Sequence, residues 1–432
     1  MTLSIFTLGC KVNQYESAAL SAIFAERGFT VVKDGNADVI IVNSCTVTDT
    51  GDKKTRQLVR KLRRNSPDAV IVLTGCFPQA FPDRAAEITE ADIITGTADR
   101  SRIPQLVEEY INTRTRIVST LPIGKSFEEI TAGGYGGRTR ATVKIQDGCD
   151  NCCSYCIIPT ARGSARSKPL EKIKSEIESL TSSGYSEIVL IGINLSRYGE
   201  DIGLNLTDAV RLAGSMTDRL RLGSLEPDML ITPSSCGDFG DFIERISEVD
   251  SLCPQFHLSL QSGCDHTLRR MNRRYTADQY MRLAEEFRRR FENAAITTDV
   301  MTGFPGETEE EFAHSIEFVK RVGFAKIHIF PYSAREGTAA AEFDDQIPIG
   351  IREQRAKQMA EVADLSRIAF LQSQIGTMAS VLFESGNEGR YTGYTDNYMP
   401  ITVDSDRDIR KHILKAEIVG IDRDRLLGRL MV

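Results

Sequence analysis

Short β-branched apolar runs alternate with helical stretches along most of this 432-residue chain, and that alternation restrains its fold more than any other feature. Leu3–Leu8, Val39–Val42 and Val70–Thr74 have the composition of strands buried on both faces. Helical patterns follow at about Glu16–Arg27 and Lys53–Arg64. Parallel strands need a crossover, usually a helix, so this order predicts a parallel sheet. The stretch Ile130–Thr139 holds four glycines and breaks the pattern as a linker would. A second block then alternates. Its candidate strands are Ala141–Gln146, Glu187–Ile193, Arg219–Leu225, Gln255–Leu260, Ala295–Met301 and Lys326–Tyr332. Candidate helices lie between them, near Leu170–Ser183, Leu206–Ser215, Phe239–Val249, Thr276–Phe291 and Glu309–Val322. Six β/α units in a row predict a barrel or partial barrel. A long helix, about Ile351–Gln374, leaves the block. Short strand-like pieces then run from Met378 to Met431 between polar turns. The predicted fold class is α/β. It comprises an N-terminal parallel-sheet domain over residues 1–120, a central partial (β/α)6 barrel over 138–370, and a small C-terminal all-β barrel over 373–432.

Composition excludes some classes. The apolar fraction, 41%, and the charged fraction, 26%, are those of ordinary soluble protein. No apolar run approaches ~20 residues, so no transmembrane helix and no membrane partner are expected. The first residues lack the basic start and cleavage site of a signal peptide, which predicts a cytoplasmic protein. Ten cysteines in such a chain point to metal or redox work rather than disulfides. The net charge of −7 weighs mildly against nucleic acid as a partner, although local basic patches can override it.

Cys149, Cys153 and Cys156 form a C-x3-C-x2-C in Asp147-Gly-Cys-Asp-Asn-Cys-Cys-Ser-Tyr-Cys-Ile-Ile-Pro159. Three thiolates on one short loop can hold three corners of an iron–sulfur cube. A [4Fe–4S] cluster normally takes four Cys ligands, so one iron stays open to a non-protein ligand. Cys152 makes a nominal zinc-type pair with its neighbours, but the two pairs of a zinc ribbon are separated by roughly 15–20 residues. Cys152 is therefore expected to be a non-ligand. Cys236, Cys253 and Cys264 show no ligand spacing and are expected to be core or incidental cysteines.

Cys10, Cys45 and Cys76 each follow the end of a predicted strand in the first domain, in Thr-Leu-Gly-Cys, Val-Asn-Ser-Cys and Leu-Thr-Gly-Cys. The carboxyl ends of parallel strands share one edge, where ligands bind. Three thiols thirty-odd residues apart can therefore converge. The glycines before Cys10 and Cys76 would let backbone approach a cofactor closely. The bland alternative is three buried free cysteines. Zinc is the competing metal, but the C-x2-C pairs typical of structural zinc are missing from this region.

These residues also carry a resemblance. The loop spacing resembles the radical S-adenosylmethionine (SAM) superfamily, in which the open iron binds SAM. Thr7-Leu-Gly-Cys-Lys-Val-Asn-Gln-Tyr-Glu-Ser17, Asn43-Ser-Cys-Thr-Val-Thr48 and Thr74-Gly-Cys76 resemble the N-terminal domain of methylthiotransferases. Gln146–Gly163 with Arg166 and Ser167 resembles their radical SAM loop. Phe256–Gly263, Thr298–Glu307 and Ile329–Ser333 continue the likeness, and the C-terminal β domain stands where that family carries an RNA-binding TRAM domain. Gly-Cys-Lys-Val-Asn-Gln-Tyr-Glu-Ser is similar to the MtaB branch, which acts on threonylcarbamoyladenosine at tRNA position 37. Sister branches act on isopentenyladenosine in tRNA or on a ribosomal-protein aspartate. A non-catalytic iron–sulfur RNA-binding protein is the alternative of a different class; the open iron weighs against it.

The resemblance implies an enzyme with two [4Fe–4S] clusters and SAM. Cys149, Cys153 and Cys156 would hold the cluster at which one electron splits SAM into methionine and a 5′-deoxyadenosyl radical. Cys10, Cys45 and Cys76 would hold an auxiliary cluster that presents sulfur, and a separate SAM would supply the methyl group. Its partners would be tRNA, a reduced flavodoxin or ferredoxin-type electron donor, and a sulfur source. Asn194, Ser224, Glu226 and Asp299 fall at or near barrel-strand ends and are candidate SAM contacts, with turn or cap roles as the alternative. Gly303-Phe-Pro-Gly-Glu307 reads first as a turn before a capped helix. Lys53, Arg56, Arg60 and Arg64 share roughly one helix face and are candidate phosphate contacts, or else a solvated face. Arg269, Arg270, Arg273 and Arg274, and Arg288–Arg290, form further basic clusters; Tyr391, Tyr394 and Tyr398 are candidates for base stacking or for the barrel's core and rim.

Overall fold

The computed structural model describes residues 1–33, 35–133, 139–231, 239–387 and 389–431. Cys236 and most of the glycine-rich boundary, residues 134–138, lie outside the described residues.

The first domain is a parallel sheet of β1 (Thr2–Thr7), β2 (Thr30–Val31), β3 (Val39–Ser44), β4 (Val70–Gly75), β5 (Ile93–Thr95) and β6 (Ile117–Ser119), in the order β2-β1-β3-β4-β5-β6. Every residue of β3 and β4 is buried, as their unbroken apolar runs require. Helices cover both faces: Leu20, Phe24 and Ile103 pack on one, Val59, Leu62 and Phe77 on the other. Each such side chain contributes about 1.5–3 kcal/mol when fully buried.

Helix α1 (Lys11–Glu26) begins directly after Cys10, five residues before the expected Glu16. It has two buried sides. Val12, Tyr15 and Ala19 belong to the core of the central barrel, while Leu20 and Phe24 belong to the first sheet. A helix buried on two sides has no single apolar stripe, which hid its first turns from periodicity. Helix α2 (Asp49–Asn65) starts where the Thr48 hydroxyl accepts a hydrogen bond from Gly51 N at 3.2 Å.

The central domain supplies β7 (Arg140–Lys144), β8 (Gln146–Asp147), β9 (Arg166–Ser167), β10 (Glu187–Ile191), β11 (Arg219–Leu222), β12 (Ser224–Leu225), β13 (Gln255–Leu258), β14 (Ala295–Thr302) and β15 (Lys326–Pro331). They form a three-stranded sheet, β11-β10-β7, and a four-stranded one, β12-β13-β14-β15, all parallel. The expected strand Arg219–Leu225 is thus two strands. The chain turns at Gly223, whose N–H donates to Leu190 O at 2.8 Å, and passes from one sheet to the other. A bridge between Leu220 and Leu252 ties β11 to the segment just ahead of β13. The expected Ala141–Gln146 also divides, because β8 leaves β7 to pair antiparallel with β9. That two-strand clamp holds both ends of the cysteine loop. The partial barrel stays open between β7 and β15, and α1 packs along the β7 side of the gap.

The helix Ile349–Ser373 leads to a closed barrel of β16 (Met378–Asn387), β17 (Arg390–Thr395), β18 (Pro400–Asp404), β19 (Ile413–Asp422) and β20 (Arg425–Leu430). Its docking uses two of the tyrosines considered for base stacking. Tyr394 and Tyr398 stack with centroids 4.8 Å apart. The Arg140 guanidinium stands 4.8 Å from one ring and 4.9 Å from the other, and Arg221 stands 4.6 Å from Tyr398. Arg219 and Arg221 donate to Thr395 O and Asp396 O at 3.1 and 2.9 Å. Tyr394 and Tyr398 therefore face the central barrel. Among the described residues no helix is long and apolar enough to cross a membrane.

Candidate functional site

The loop cysteines line one cavity of about 420 Å³, with Cys149, Cys153 and Cys156 on its wall beside Gly163 and Thr338. Asn194 Nδ2 donates to Cys149 Sγ at 3.5 Å, and Arg273 Nη1 donates to Cys153 Sγ at 3.4 Å. The segment around Arg273 also holds the loop's shape. Ser154 N donates to Met271 O at 3.1 Å, and Asn272 Nδ2 donates to Cys152 O at 2.7 Å. Cys152 is exposed at the cavity rim. Burial pushes the Cys156 thiol up to about 12, with Cys153 and Cys149 adding to the shift. Burial likewise raises Cys149 and Cys153. Without metal these thiols keep their protons, so loading a cluster releases them.

The strand-end cysteines converge at the carboxyl edge of the first sheet, where β1, β3 and β4 are neighbours. Cys10 is exposed, Cys45 half-buried and Cys76 buried. Burial pushes the Cys76 thiol up to about 12, and the charges of Cys45 and Cys10 add to it, so the three are electrostatic neighbours. Gly9 and Gly75 have φ of 109° and 103°. A Cβ on Gly9 would stand 2.6 Å from Cys45 Cβ, and one on Gly75 would stand 2.5 Å from Ser44 O. At both glycines the adjacent strand end already stands where a side chain would go.

Arg162 joins the two triads. It ends the short helix Ile158–Arg162 that follows the cysteine loop, and it is fully buried. Its Nε donates to Cys76 Sγ at 3.2 Å, and its Nη2 donates to Asn13 Oδ1 at 2.8 Å. The same Asn13 oxygen accepts from Cys10 Sγ at 3.5 Å. Arg162 also pairs with Glu16 and lies 3.5 Å from Asp147. Burial alone would raise the Glu16 carboxyl, but Arg100, Arg162 and Lys144 outweigh it and hold it down to about 2. Lys144 Nζ completes the network at 2.8 Å from Glu16 and 2.7 Å from Asp147. Such a buried network is costly to break, since removing one partner leaves an uncompensated charge.

Of the residues expected near SAM, Asn194 and Glu226 stand beside the loop cysteines; Glu226 pairs with Arg273, the residue on Cys153. Burial raises Glu226 to about 7 against the pull of Arg273. Asp299 instead faces His257 Nε2 at 3.3 Å. Ser224 is exposed and pairs in register with His257. The turn Gly303–Glu307 is locked by Glu307, which accepts from Gly303 N and Arg355 at 2.8 Å each. On the basic helix, Lys53 pairs with Asp49 and Arg60 with Glu90, while Arg56 and Arg64 have no acidic partner among the described residues. Arg270 and Arg290 are likewise paired, with Glu311 and Glu286. Cys253 and Cys264 are buried, as expected.

Sequence reasoning missed Arg162, Arg273 and Glu16 as site residues. Arg162 and Glu16 lie inside the motifs quoted above, but their partners are more than a hundred residues away. Among the described residues no group of three or more His, Cys, Asp or Glu is gathered tightly enough to hold a single ion. Two unpartnered buried polar atoms, Asn151 Nδ2 and Asn194 Oδ1, stand near the loop cavity and leave bonding capacity for a ligand.

Comparison with known proteins agrees with this geometry. Residues 143–319 match the radical SAM superfamily, and residues 2–96 match an uncharacterized protein family, UPF0004. A threonylcarbamoyladenosine tRNA methylthiotransferase of Bacillus subtilis is 35% identical over 97% of this chain and 94% of its own length. Its counterpart in Thermotoga maritima is 36% identical over 92% of this chain and 90% of its own. A tRNA-2-methylthio-N6-dimethylallyladenosine synthase of Symbiobacterium thermophilum is 32% identical over 99% and 94%. Among solved structures, the radical SAM methyltransferase TsrM of Kitasatospora setae shares the fold, with a TM-score of 0.57 over 79% of this chain and 77% of that one at 14% identity. A radical SAM domain implies a [4Fe–4S] cluster and SAM, and the loop cavity with its three thiols fits both. With relatives above 30% identity along nearly its whole length, this chain belongs to the radical SAM tRNA methylthiotransferase family.

Proposed function

We propose that this protein converts threonylcarbamoyladenosine at tRNA position 37 to its 2-methylthio derivative. One observation carries the reading beyond family membership: the two thiol triads share a buried seam, with Arg162 of the loop's own helix on Cys76 of the other triad. A radical made at one triad and sulfur held at the other have to meet on one base, and this seam supports that closeness. Cys149, Cys153 and Cys156 would hold the SAM-binding cluster, and Cys10, Cys45 and Cys76 the auxiliary one. When bound, these groups supply a radical and a sulfur atom, chemistry that side chains lack.

The protein's own residues have defined tasks in this reading. Asn194 and Arg273 hydrogen-bond the thiolates of Cys149 and Cys153, and Arg162 bonds that of Cys76. Each bond favours the charged, metal-binding form of its sulfur. Glu226 and Asn194, beside the loop cysteines, are the SAM contacts we favour; Asp299, engaged by His257, and Ser224, in register with His257, are less direct candidates. Arg56 and Arg64 are the phosphate contacts we favour on the basic helix, because Lys53 and Arg60 already have acidic partners. A cytoplasmic setting with a flavodoxin or ferredoxin-type donor and a separate sulfur source completes the proposal.

Mass spectrometry of tRNA nucleosides from cells with and without the gene tests the substrate. Loss of methylthio-threonylcarbamoyladenosine in the deletion strain supports the reading. Persistence of that nucleoside with loss of the dimethylallyl counterpart would instead favour the activity named for the Symbiobacterium relative.

A further inference from the structure

The open edge of the central barrel, between β7 and β15, is met by the first turn of α1. Val12 and Tyr15 of that helix pack into the barrel core, which fixes Lys11 beside them, next to Cys10. The charged neighbours of Lys11 are Arg221, Arg140 and Glu187 on one wall of the interior. Its charge is also felt at His328 on the opposite wall. Lys11 is exposed to solvent, and among the described residues it makes no hydrogen bond or ion pair. Of the other cations near the interior, Lys326 on β15 is also without an ion pair among the described residues, but it lies on the far wall, while those on the wall of Lys11 are occupied. Arg140 pairs with Glu384 and Glu187, Arg221 pairs with Glu187 at 3.1 Å, and Lys144 pairs with Glu16 and Asp147.

The opposite wall has a matching character. Along β15 the residues alternate, with Ile327 buried among the helices and Lys326, His328 and Phe330 exposed on the other face. Phe330 leaves 46% of its surface accessible, uncommon for a phenylalanine inside a fold. The carboxylate of this wall, Asp299, is already engaged by His257. The interior therefore offers an unpaired ammonium on one side and a bare aromatic ring on the other, beside the strand-end thiols. Such a pair suits a ligand that joins a flat base to an anionic group.

Threonylcarbamoyladenosine is such a ligand, because its threonyl group ends in a free carboxylate. The dimethylallyl group of the other adenosine named among the relatives is uncharged and apolar. We propose that Lys11 is the specificity-determining residue of the substrate pocket, pairing its ammonium with the substrate carboxylate while Phe330 receives the base. This assignment rests on the substrate reading above. A hydrogen-bonding site rejects an analogue lacking its partner much more strongly than an apolar pocket rejects an extra group. A charge-assisted bond at this position should separate the two substrates about ten- to a hundredfold.

The test uses the reconstituted full-length protein and two anticodon stem-loop RNAs, one carrying threonylcarbamoyladenosine and one carrying its carboxamide. The wild-type protein should lose about ten- to a hundredfold in kcat/KM on the carboxamide, mostly through KM. Lys11→Met should lose a similar factor on the natural substrate and little more on the carboxamide. Lys11→Arg should recover part of the loss. Lys326→Met removes the other unpaired lysine facing this interior and shows which of the two meets the carboxylate. A wild-type enzyme that treats both RNAs alike overturns the proposal, even if Lys11→Met fails to keep its iron. Equal losses on both RNAs in Lys11→Met, or the same losses in Lys326→Met, overturn it as well. If the wild-type protein modifies neither RNA but modifies a dimethylallyl one, the substrate reading itself has failed.

Discussion

Cys149, Cys153 and Cys156 sit within one loop between two paired strands, whereas Cys10, Cys45 and Cys76 come from three separate strand ends. The loop triad is local. Its spacing is carried by eight consecutive residues, and the fold needs only to clamp the ends through β8 and β9. The strand-end triad is topological. It exists because β1, β3 and β4 are neighbours and because Gly9 and Gly75 let the turns pass within van der Waals contact of the next strand. The surroundings differ accordingly. The loop triad opens on a cavity, while the other grades from an exposed Cys10 to a buried Cys76 that receives a guanidinium N–H from the neighbouring domain. A local motif tolerates an open setting; a topological one is held by charges reaching across a domain seam.

The sharpest way to break this comparison is to remove one thiol from each triad. In Cys156→Ala, SAM cleavage and methylthiolation should both fall by a factor of about 1,000 or more. In Cys76→Ala, SAM cleavage should persist while methylthiolation falls as far. Iron content after anaerobic reconstitution should drop from about eight per chain to about four in either variant. Retention of eight irons in Cys76→Ala, or unchanged methylthiolation there, would contradict the two-task division.

Arg162→Met tests the seam. Glu16 keeps Arg100 and Lys144, but Asp147 and Cys76 lose a partner inside a fully buried site. The fold should lose about 3–5 kcal/mol in urea denaturation. A loss below about 1 kcal/mol, the size of an exposed pair, would show that the domains are not coupled through this residue.

Acid probes the same network more gently. The folded Glu16 carboxyl is held down to about 2 from an ordinary value of 4.5. Its contribution to stability is therefore complete above pH ~4.5 and is lost as pH falls toward ~2, because only the unfolded chain gains a proton readily in that window. The loss should be on the order of a few kcal/mol. In Arg162→Met the folded Glu16 carboxyl moves back toward its ordinary value, so the loss should be smaller and end at higher pH; an unchanged loss would assign the acid response to other carboxyls.

The smallest effect is expected for Cys152→Ser. Cys152 is exposed, and among the described residues its thiol makes one weak hydrogen bond, from Sγ to Asp150 O at 3.8 Å. Iron content, absorbance and turnover should match the wild-type protein. Loss of about one cluster's iron in this variant would make Cys152 a ligand and reopen the assignment of the loop.

Much of the fold was legible because burial on both faces and helix periodicity leave local marks. Strands β3 and β4 coincide with their apolar runs to within two residues, and the helix Glu309–Val322 begins and ends where its pattern does. The misplacements share a cause. The first turns of α1 were hidden because two domains bury them from different sides. The division of Arg219–Leu225 was hidden because a passage between sheets at Gly223 changes pairing partners without changing composition. Tyr394 and Tyr398 offered no sign that their faces are taken by Arg140 and Arg221, which lie in another domain.

The chain's own order of residues determined the alternating architecture, the spacing of the loop thiols and the placement of three further cysteines after strands. Those are consequences of local patterning, since strand ends and loop spacings are properties of consecutive residues. Only the tertiary structure decided that Arg162 reaches Cys76, that Arg273 reaches Cys153 and that Val12 and Tyr15 of α1 pack into the barrel core. A long cationic side chain finds its partner by position in space, and its charge is felt across any sequence separation once water is excluded.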